Sequence, residues 1–195
     1  MNDETPIRLG DEGHLETVYG IRPAEPGDLP EIAEIYAHFV RRSVATFDET
    51  ARSLDEWHEK FDALAAVDLP FLVAHSPRDG VLGYALLQPW SAKSAYRFTT
   101  ENSIYLAPGT EGQGIGRALL TALLTAGSQS GVRQVVAVIV EGGDASIALH
   151  RKLGFTEVGH LSKVGRKFDR WLGIVQLQLE LPRPEQPLPP DHYRY

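Results

Sequence analysis

The chain has 195 residues, of which 43% are hydrophobic and 23% are charged, and its formal net charge is -7. These values are typical of one folded domain and exclude a chain that is disordered throughout. The negative charge argues against a nucleic-acid binder, whose affinity depends on clustered Lys and Arg. The sequence has no cysteine, which excludes disulfides, zinc–thiolate sites and a cysteine nucleophile.

The two ends of the sequence differ from its middle. Residues 1–17 show no periodicity and are expected to form a flexible leader, and residues 183–195 form a proline-rich tail that is expected to be extended. Residues 18–182 are predicted to form one domain. The sequence shows neither an apolar run near the ~18 residues of a membrane span nor a signal peptide, so we expect a cytoplasmic protein.

The first half of this domain is predicted to contain three strands and two helices. A short strand over residues 18–23 comes first, and apolar residues at helical spacing follow from Asp28. A second helix is predicted to open at Ser53, with Glu56 in the register of a capping box. Two strands over residues 71–75 and 81–90 then flank a turn rich in Pro, Asp and Gly.

The second half alternates strands and helices. A strand over residues 101–107 stops at Pro108-Gly109, and a glycine-rich turn leads into a helix that ends near Gly131. A nearly continuous apolar run over residues 133–140 predicts a central buried strand. A helix over residues 145–153 and strands over residues 155–161 and 171–181 complete an α/β protein with a mixed central sheet flanked by helices.

The glycine-rich turn predicts an anion site. It joins a strand to a helix, and free N–H groups at a helix N-terminus attract phosphate, which glycine lets approach closely. A nucleotide P-loop is excluded because Gly116 is followed by Arg117-Ala118 rather than by Lys and Ser or Thr. A dinucleotide fingerprint also fails, since Gly112, Gly114 and Gly116 are spaced two apart. A glycine-rich turn without a ligand remains the alternative.

Two motifs resemble a known superfamily. The run Gly112-Gln113-Gly114-Ile115-Gly116-Arg117 before a Leu-rich helix resembles the acetyl-CoA pyrophosphate loop of the GNAT acetyltransferases, and residues 148–155 resemble their closing helix and its LGF turn. Residues 89–96, 99–106 and 135–139 and the region of Trp171 are similar to the phosphinothricin acetyltransferase-like subfamily. The resemblance runs from about Tyr19 to Pro182.

This resemblance implies a fold, a cosubstrate and a reaction. The fold is the GNAT fold, with a mixed, mostly antiparallel sheet, and the cosubstrate is acetyl-CoA. Members of the subfamily acetylate the α-amine of phosphinothricin, methionine sulfone or methionine sulfoximine. We therefore expect an N-acetyltransferase for a small amino-acid-like amine that works by direct transfer. A homodimer in contact through the final strands is also implied.

The resemblance also implies two catalytic residues. Glu101 matches the glutamate of the subfamily and is expected to be the general base, in direct contact with the amine or through one water. His150 lies where the superfamily often has tyrosine and is expected to protonate, or hydrogen-bond to, the departing sulfur. The alternatives are a solvated glutamate at a strand end and a partly buried structural histidine.

The cosubstrate and substrate residues are implied in the same way. The backbone of Ile104, Tyr105 and Leu106 is expected to face the acetyl and pantetheine portion, with one N–H polarising the thioester carbonyl. The pyrophosphate loop and Ser146 complete the acetyl-CoA contacts. The expected substrate residues are Trp90, Lys93, Tyr96, Arg97, Tyr36 and Phe39, although the last two also fit plain core positions. Histidine spacing gives no support for a metal site.

Three positions depart from the pattern of the family. Glu111 stands at the head of the pyrophosphate loop, Gly143 replaces a common asparagine, and Gly173 replaces an aspartate. A carboxylate beside phosphates is unfavourable unless it turns to solvent, and the change at Gly173 bears on the substrate more than on the fold. The alternative functions are an N-acetyltransferase for another amine, such as a polyamine or a protein N-terminus, and a non-catalytic acetyl-CoA-binding module.

Overall fold

A computed structural model describes residues 18–182, and the predicted leader and tail lie outside this range. The described residues form one seven-stranded sheet flanked by four α-helices. The strands are β1 (Gly20–Pro23), β2 (Phe71–Ser76), β3 (Gly80–Pro89), β4 (Thr99–Leu106), β5 (Gln134–Val140), β6 (Thr156–Lys167) and β7 (Arg170–Glu180). The helices are α1 (Leu29–Arg42), α2 (Leu54–Ala66), α3 (Ile115–Gln129) and α4 (Asp144–Lys152).

The strands follow the order β1-β2-β3-β4-β5-β7-β6 across the sheet. Every neighbouring pair is antiparallel except β4 and β5, which run parallel. The predicted α/β class with a mixed, mostly antiparallel sheet is therefore confirmed. The crossover between the parallel strands is α3, as a parallel connection requires.

The predicted start of α2 is confirmed in detail. Ser53 Oγ accepts a hydrogen bond from the Glu56 amide at 3.2 Å, and the Glu56 carboxylate accepts one from the Ser53 amide at 2.7 Å. These reciprocal bonds satisfy two backbone N–H groups that the helix itself leaves free. They fix the end of α2 that follows the α1–α2 loop.

An aromatic cluster packs α1 and α2 against β2, β3 and β4. Trp57 lies at its centre, only 2% exposed, with ring contacts to Tyr36, Phe71 and Tyr84 at centroid distances of 5.5–6.3 Å. Tyr105 of β4 closes the cluster against Tyr36. Aromatic pairs at these centroid distances add to the stabilisation from burial, so the cluster supports this face of β4.

Three strand boundaries differ from the prediction by two residues or more, and β1 begins at Gly20 rather than residue 18. β4 begins at Thr99 rather than residue 101, and β6 continues to Lys167 rather than ending at residue 161. The β6–β7 register shifts at Glu157/Gly159 and at Leu161/Gly165. Each bulge breaks the alternation of side chains on which the sequence pattern depends, and this hides the second half of β6. Within residues 18–182 no helix combines the length and apolar character that crossing a membrane requires.

Candidate active site

The parallel strands β4 and β5 pair over three positions and then separate. Their ladder joins Thr99 to Gln134, Thr100 to Val135 and Glu101 to Val136. Beyond Glu101 the two strands line a cleft of about 490 Å³, which also borders the glycine-rich turn and α4. The gap leaves an open strand edge on each side of the cleft, because β4 stays paired with β3 and β5 with β7.

Some backbone N–H groups of β4 point towards this cleft. Ala107 donates its N–H to Leu82 of β3, and the Thr99 carbonyl accepts from Trp90. Successive peptide groups of a strand point to opposite edges, so the N–H groups of Ile104 and Leu106 face β5. The N–H groups of Ile104 and Leu106 therefore face the cleft, whereas that of Tyr105 faces β3.

The glycine-rich turn closes one end of the cleft. Gly112 and Gly114 have φ angles of +78° and +77°, in the left-handed region that glycine adopts without strain. The first backbone bond within α3 runs from the Ala118 amide to the Gly114 carbonyl, so the amides just before it have no acceptor within the helix. Gly116 and Arg117 line the cleft beside them, which makes this end suited to an anion.

The other residues predicted for this turn have different surroundings. Ile115 is fully buried and belongs to the core. Gln113 is exposed and donates from Nε2 to the Gly109 carbonyl at 3.3 Å. Glu111 accepts from the Gly109 amide at 2.9 Å. The carboxylate of Glu111 is therefore engaged by its own turn, and this reduces the repulsion expected of an acidic residue at this end of the cleft.

The other two departures from the family pattern have steric explanations. A Cβ atom on Gly143 would lie 2.7 Å from Ile139 Cγ2 and 3.0 Å from the Val140 carbonyl oxygen, so a side chain does not fit there. A Cβ atom on Gly173 would overlap the carboxylate of Glu141. That carboxylate accepts from the Gly173 amide at 2.9 Å, so Glu141 fills the space beside β7.

A second, polar cavity of about 190 Å³ lies next to the cleft, between β3 and β4 and the helices α1 and α2. Glu101, Ser103 and Tyr105 line both the cleft and this cavity. They alternate along β4 and so share one face of the sheet. The remaining lining residues come from α1, α2, the loop between them and β3, namely Tyr36, Thr46, Asp48, Arg52, Trp57, Lys60, Tyr84, Leu86 and Gln88.

Glu101 lies where the two cavities meet and has a polar neighbour on β3. Glu101 and Gln88 are directly opposite in the β3–β4 ladder. Burial raises the pKa of Glu101, while the positive charge of Lys60 and a hydrogen bond from Gln88 counter part of that shift. A carboxyl group with a raised pKa is a stronger base than an ordinary glutamate, which suits proton abstraction near neutral pH.

Lys60 extends this network onto α2. Its ammonium donates to Gln88 Oε1 at 2.5 Å. Gln88 therefore turns its amide nitrogen towards Glu101. Burial is the main cause that lowers the pKa of Lys60 to about 8, and Arg52 lowers it further. Lys60, Gln88 and Arg52 were not predicted from the sequence. One signal was present, since Lys60 follows Trp57 by three residues and so falls on the buried face of α2.

His150 is almost fully buried at the cleft wall, and both of its ring nitrogens have partners. The Ser146 carbonyl oxygen lies 2.8 Å from Nδ1, and Asn102 Nδ2 lies 2.9 Å from Nε2. A carbonyl only accepts, so Nδ1 carries the proton and Nε2 accepts from Asn102. Burial lowers the pKa of His150, which favours this neutral form. Among the described residues Asn102 Oδ1 has no hydrogen-bond partner.

The structure divides the residues predicted to contact the substrate into two groups. Tyr36 lines the polar cavity and Phe39 lines the cleft. The other four lie on the connection between β3 and β4 and line neither cavity, namely Trp90, Lys93, Tyr96 and Arg97. Tyr96 is 45% exposed and the Arg97 guanidinium lies over the ring of Phe98. No set of three or more metal-binding side chains occurs within residues 18–182.

Comparison with known proteins identifies the family. The acetyltransferase (GNAT) family model matches residues 31–155. The phosphinothricin N-acetyltransferase of Alcaligenes faecalis is 40% identical over 188 residues, which cover 95% of this chain and 94% of that protein. The chain belongs to the GNAT acetyltransferase family. It is therefore an N-acetyltransferase by family, and the predicted GNAT fold is confirmed.

Other GNAT proteins agree with this assignment. The L-methionine sulfoximine/L-methionine sulfone acetyltransferase of Pseudomonas aeruginosa is 40% identical over 161 residues, covering 83% of this chain and 94% of that protein. A phosphinothricin acetyltransferase from Sinorhizobium meliloti, solved in complex with AcCoA, superposes with a TM-score of 0.83 at 39% identity. That match covers 89% of this chain and 96% of the other. The resemblance to the phosphinothricin subfamily is thus confirmed.

Proposed function

We propose that the chain transfers the acetyl group of acetyl-CoA to the amine of a small amino-acid-like substrate of the phosphinothricin, methionine sulfone or methionine sulfoximine type. One observation carries this proposal: Glu101 lies in the wall shared by the cleft and the polar cavity. A base at that junction reaches an amine in the cavity while a thioester occupies the cleft.

The chemistry of the cleft fits acetyl-CoA. The open edge of β4 offers the N–H groups of Ile104 and Leu106 to the acetyl and pantetheine portion of acetyl-CoA. The amides at the start of α3 and the Arg117 guanidinium suit a pyrophosphate. Asn102 of β4 and Ser146 of α4 also line the cleft.

The proposed reaction is direct transfer. Most alkylamines are protonated near neutral pH, so Glu101 removes a proton from the amine, directly or through one water. The Leu106 N–H donates to the thioester carbonyl oxygen as negative charge develops there. His150 remains the proposed proton donor to the sulfur. Because Nε2 accepts from Asn102 in this structure, that step requires their hydrogen bond to open and the ring to carry a proton on Nε2.

A thiol-release assay with acetyl-CoA tests the proposal. The acceptor panel contains phosphinothricin, methionine sulfone, methionine sulfoximine, standard amino acids, a polyamine and a peptide with a free N-terminus. Turnover on the first three acceptors is the expected result. Turnover confined to the polyamine or the peptide would replace the substrate class, and silence across the panel with acetyl-CoA still bound would favour a binding module.

Replacing Gly114 with valine is expected to raise the KM for acetyl-CoA roughly tenfold or more. Gly114 has a φ of +77°, and a β-branched residue there is a genuine outlier whose strain costs about 1–2 kcal/mol. Its side chain would also move the α3 amides from the pyrophosphate. The measurement is the KM for acetyl-CoA, with Gly20→Val as the control, because nothing lies within 4 Å of a Cβ atom at Gly20. An unchanged KM would contradict the assignment of this turn.

The protein acts in the cytoplasm without a metal ion, and Trp90, Lys93, Tyr96 and Arg97 contact the substrate once the cavity is filled. The chain forms a homodimer through the β6–β7 hairpin, whose exposed apolar side chains are Val158, Leu161, Val164, Phe168 and Trp171. Light scattering of the native chain tests the dimer, and a monomeric mass would contradict it.

A further inference from the structure

The polar cavity contains two cations that belong to none of the predicted sites. Lys60 reaches it from α2, and Arg52 reaches it from the loop before α2. The cavity also contains two carboxylates, Glu101 and Asp48. Whether the cations are already neutralised within the protein therefore depends on what each carboxylate contacts.

Asp48 is occupied by protein groups. The Tyr36 hydroxyl donates to Asp48 Oδ2 at 2.6 Å, and Arg52 lies 3.6 Å from the same oxygen. A separation of 3.6 Å makes an ion pair but is too long for a hydrogen bond, so the exposed guanidinium of Arg52 uses none of its five donors on Asp48. Glu101 is the proposed base for the amine and does not serve as a permanent partner for a cation.

Lys60 also retains donors. An ammonium group has three N–H bonds, and within residues 18–182 its one hydrogen bond goes to Gln88 Oε1. Lys60 is half-buried, and a partly desolvated cation with free donors is stabilised when an anion completes its coordination. Two other residues of this cavity have a buried polar atom without a partner in the described chain, Trp57 at Nε1 and Tyr84 at its hydroxyl.

We propose that Lys60 and Arg52 form a subsite for an oxyanion of the acceptor, and that they make this enzyme select amines that carry such a group. The inference rests on the proposed acetyl transfer. The amine lies at Glu101, because that residue alone among the charged groups of the cavity also lines the cleft. The oxyanion then lies on the α2 side of the cavity, between the two cations.

Two sources supply this chemistry in an amino-acid-like acceptor. One is the α-carboxylate, and the other is an acidic group on the side chain, such as a phosphinate. Three acceptors separate them. Methionine sulfone has the carboxylate and a neutral side chain, 3-aminopropyl(methyl)phosphinic acid has the side-chain oxyanion only, and the α-amide of methionine sulfone has neither.

The test compares the wild type with Lys60→Gln, Arg52→Gln and Lys60→Arg. Lys60→Gln and Arg52→Gln are each expected to raise the KM for the acceptor whose oxyanion the subsite binds, methionine sulfone or the aminophosphinate. The expected rise is roughly 10- to 100-fold, because a hydrogen bond to a charged group is lost. The KM for acetyl-CoA and the KM for the α-amide stay unchanged. Lys60→Arg keeps the positive charge, so its KM for that acceptor should stay close to the wild-type value. Lys152→Gln removes an exposed cation on α4 and serves as the control.

The acceptor affected identifies the source of the oxyanion. A rise in KM confined to methionine sulfone supports the α-carboxylate as the bound group. A rise in KM confined to the aminophosphinate supports the side-chain oxyanion. Equal KM values in all variants would overturn the proposal. An equal rise in the KM for the α-amide would also overturn it, because that result shows a general structural effect.

Failure of the proposed reaction gives a distinct result. In that case the wild type turns over no acceptor, and binding of methionine sulfone and of the aminophosphinate is measured by thermal shift in the presence of CoA. Stabilisation of the wild type that is lost in Lys60→Gln would retain the oxyanion subsite without the reaction. No stabilisation of the wild type, or equal stabilisation of both proteins, would overturn it.

Discussion

Replacing Glu101 with glutamine is expected to lower kcat/KM by ~100-fold or more, the usual contribution of a general base. Glutamine has nearly the same shape and keeps a hydrogen bond with Gln88 across the β3–β4 ladder, but it does not accept a proton from the amine. The measurement is steady-state thiol release. The affinity for acetyl-CoA should stay within about twofold of the wild type, because the cleft is unchanged.

A matched control variant and a pH profile test whether Glu101 itself is the base. Glu59→Gln removes an exposed carboxylate from α2 and should leave kcat/KM unchanged. In the wild type, kcat/KM should fall as the pH drops through the pKa of Glu101, which burial raises above 4.5. This acid limb should disappear in Glu101→Gln. A variant with full activity, or one that keeps the limb, would assign the base to another group.

Replacing Trp57 with alanine is expected to lower the free energy of unfolding by about 3–5 kcal/mol, as for other large aromatic residues removed from a core. Trp57 is 2% exposed and packs on the rings of Tyr36, Phe71 and Tyr84. A domain is stable by only about 5–15 kcal/mol, so this one change removes a large part of its stability. Equilibrium unfolding in urea gives the measurement.

Two variants distinguish packing from a general effect on α2. Leu54→Ala changes an exposed residue of the same helix and should alter the free energy of unfolding by no more than about 0.5 kcal/mol. Trp57→Phe keeps an aromatic ring and should lie between the wild type and alanine. A loss below about 1 kcal/mol in Trp57→Ala would mean that the cluster is not central to the fold.

The sequence predicted the elements whose signals are local. The capping box of Ser53 and Glu56, the apolar run of β5 and the glycine-rich turn each depend on residues close together in the chain. The order of the seven strands and four helices along the chain follows from such signals. The ends of β4 and β6 were misplaced, because strand bounds depend on cross-strand pairing and bulges that no local pattern records.

Apart from Glu101 and Tyr36, the residues of the polar cavity were not predicted to contact the substrate, for a related reason. Glu101 and Gln88 become neighbours through the register of β3 against β4, and Lys60 joins them through the packing of α2 on the sheet. Contacts between residues so distant in sequence leave no spacing to recognise. The pairing of Asn102 with His150 is likewise a contact across 48 positions. The motif predicted the location of His150 but not the state of its ring.

The three-position ladder between β4 and β5 also bears on how the chain folds. On one side β1 to β4 are antiparallel and consecutive in order, and on the other β5, β6 and β7 form a second antiparallel group. The ladders within each group are longer and join four to eight positions. Joining the two groups closes the loop that contains α3, which costs chain entropy and gains only the few hydrogen bonds of the three-position ladder. We therefore expect this junction to form after each group has begun to assemble.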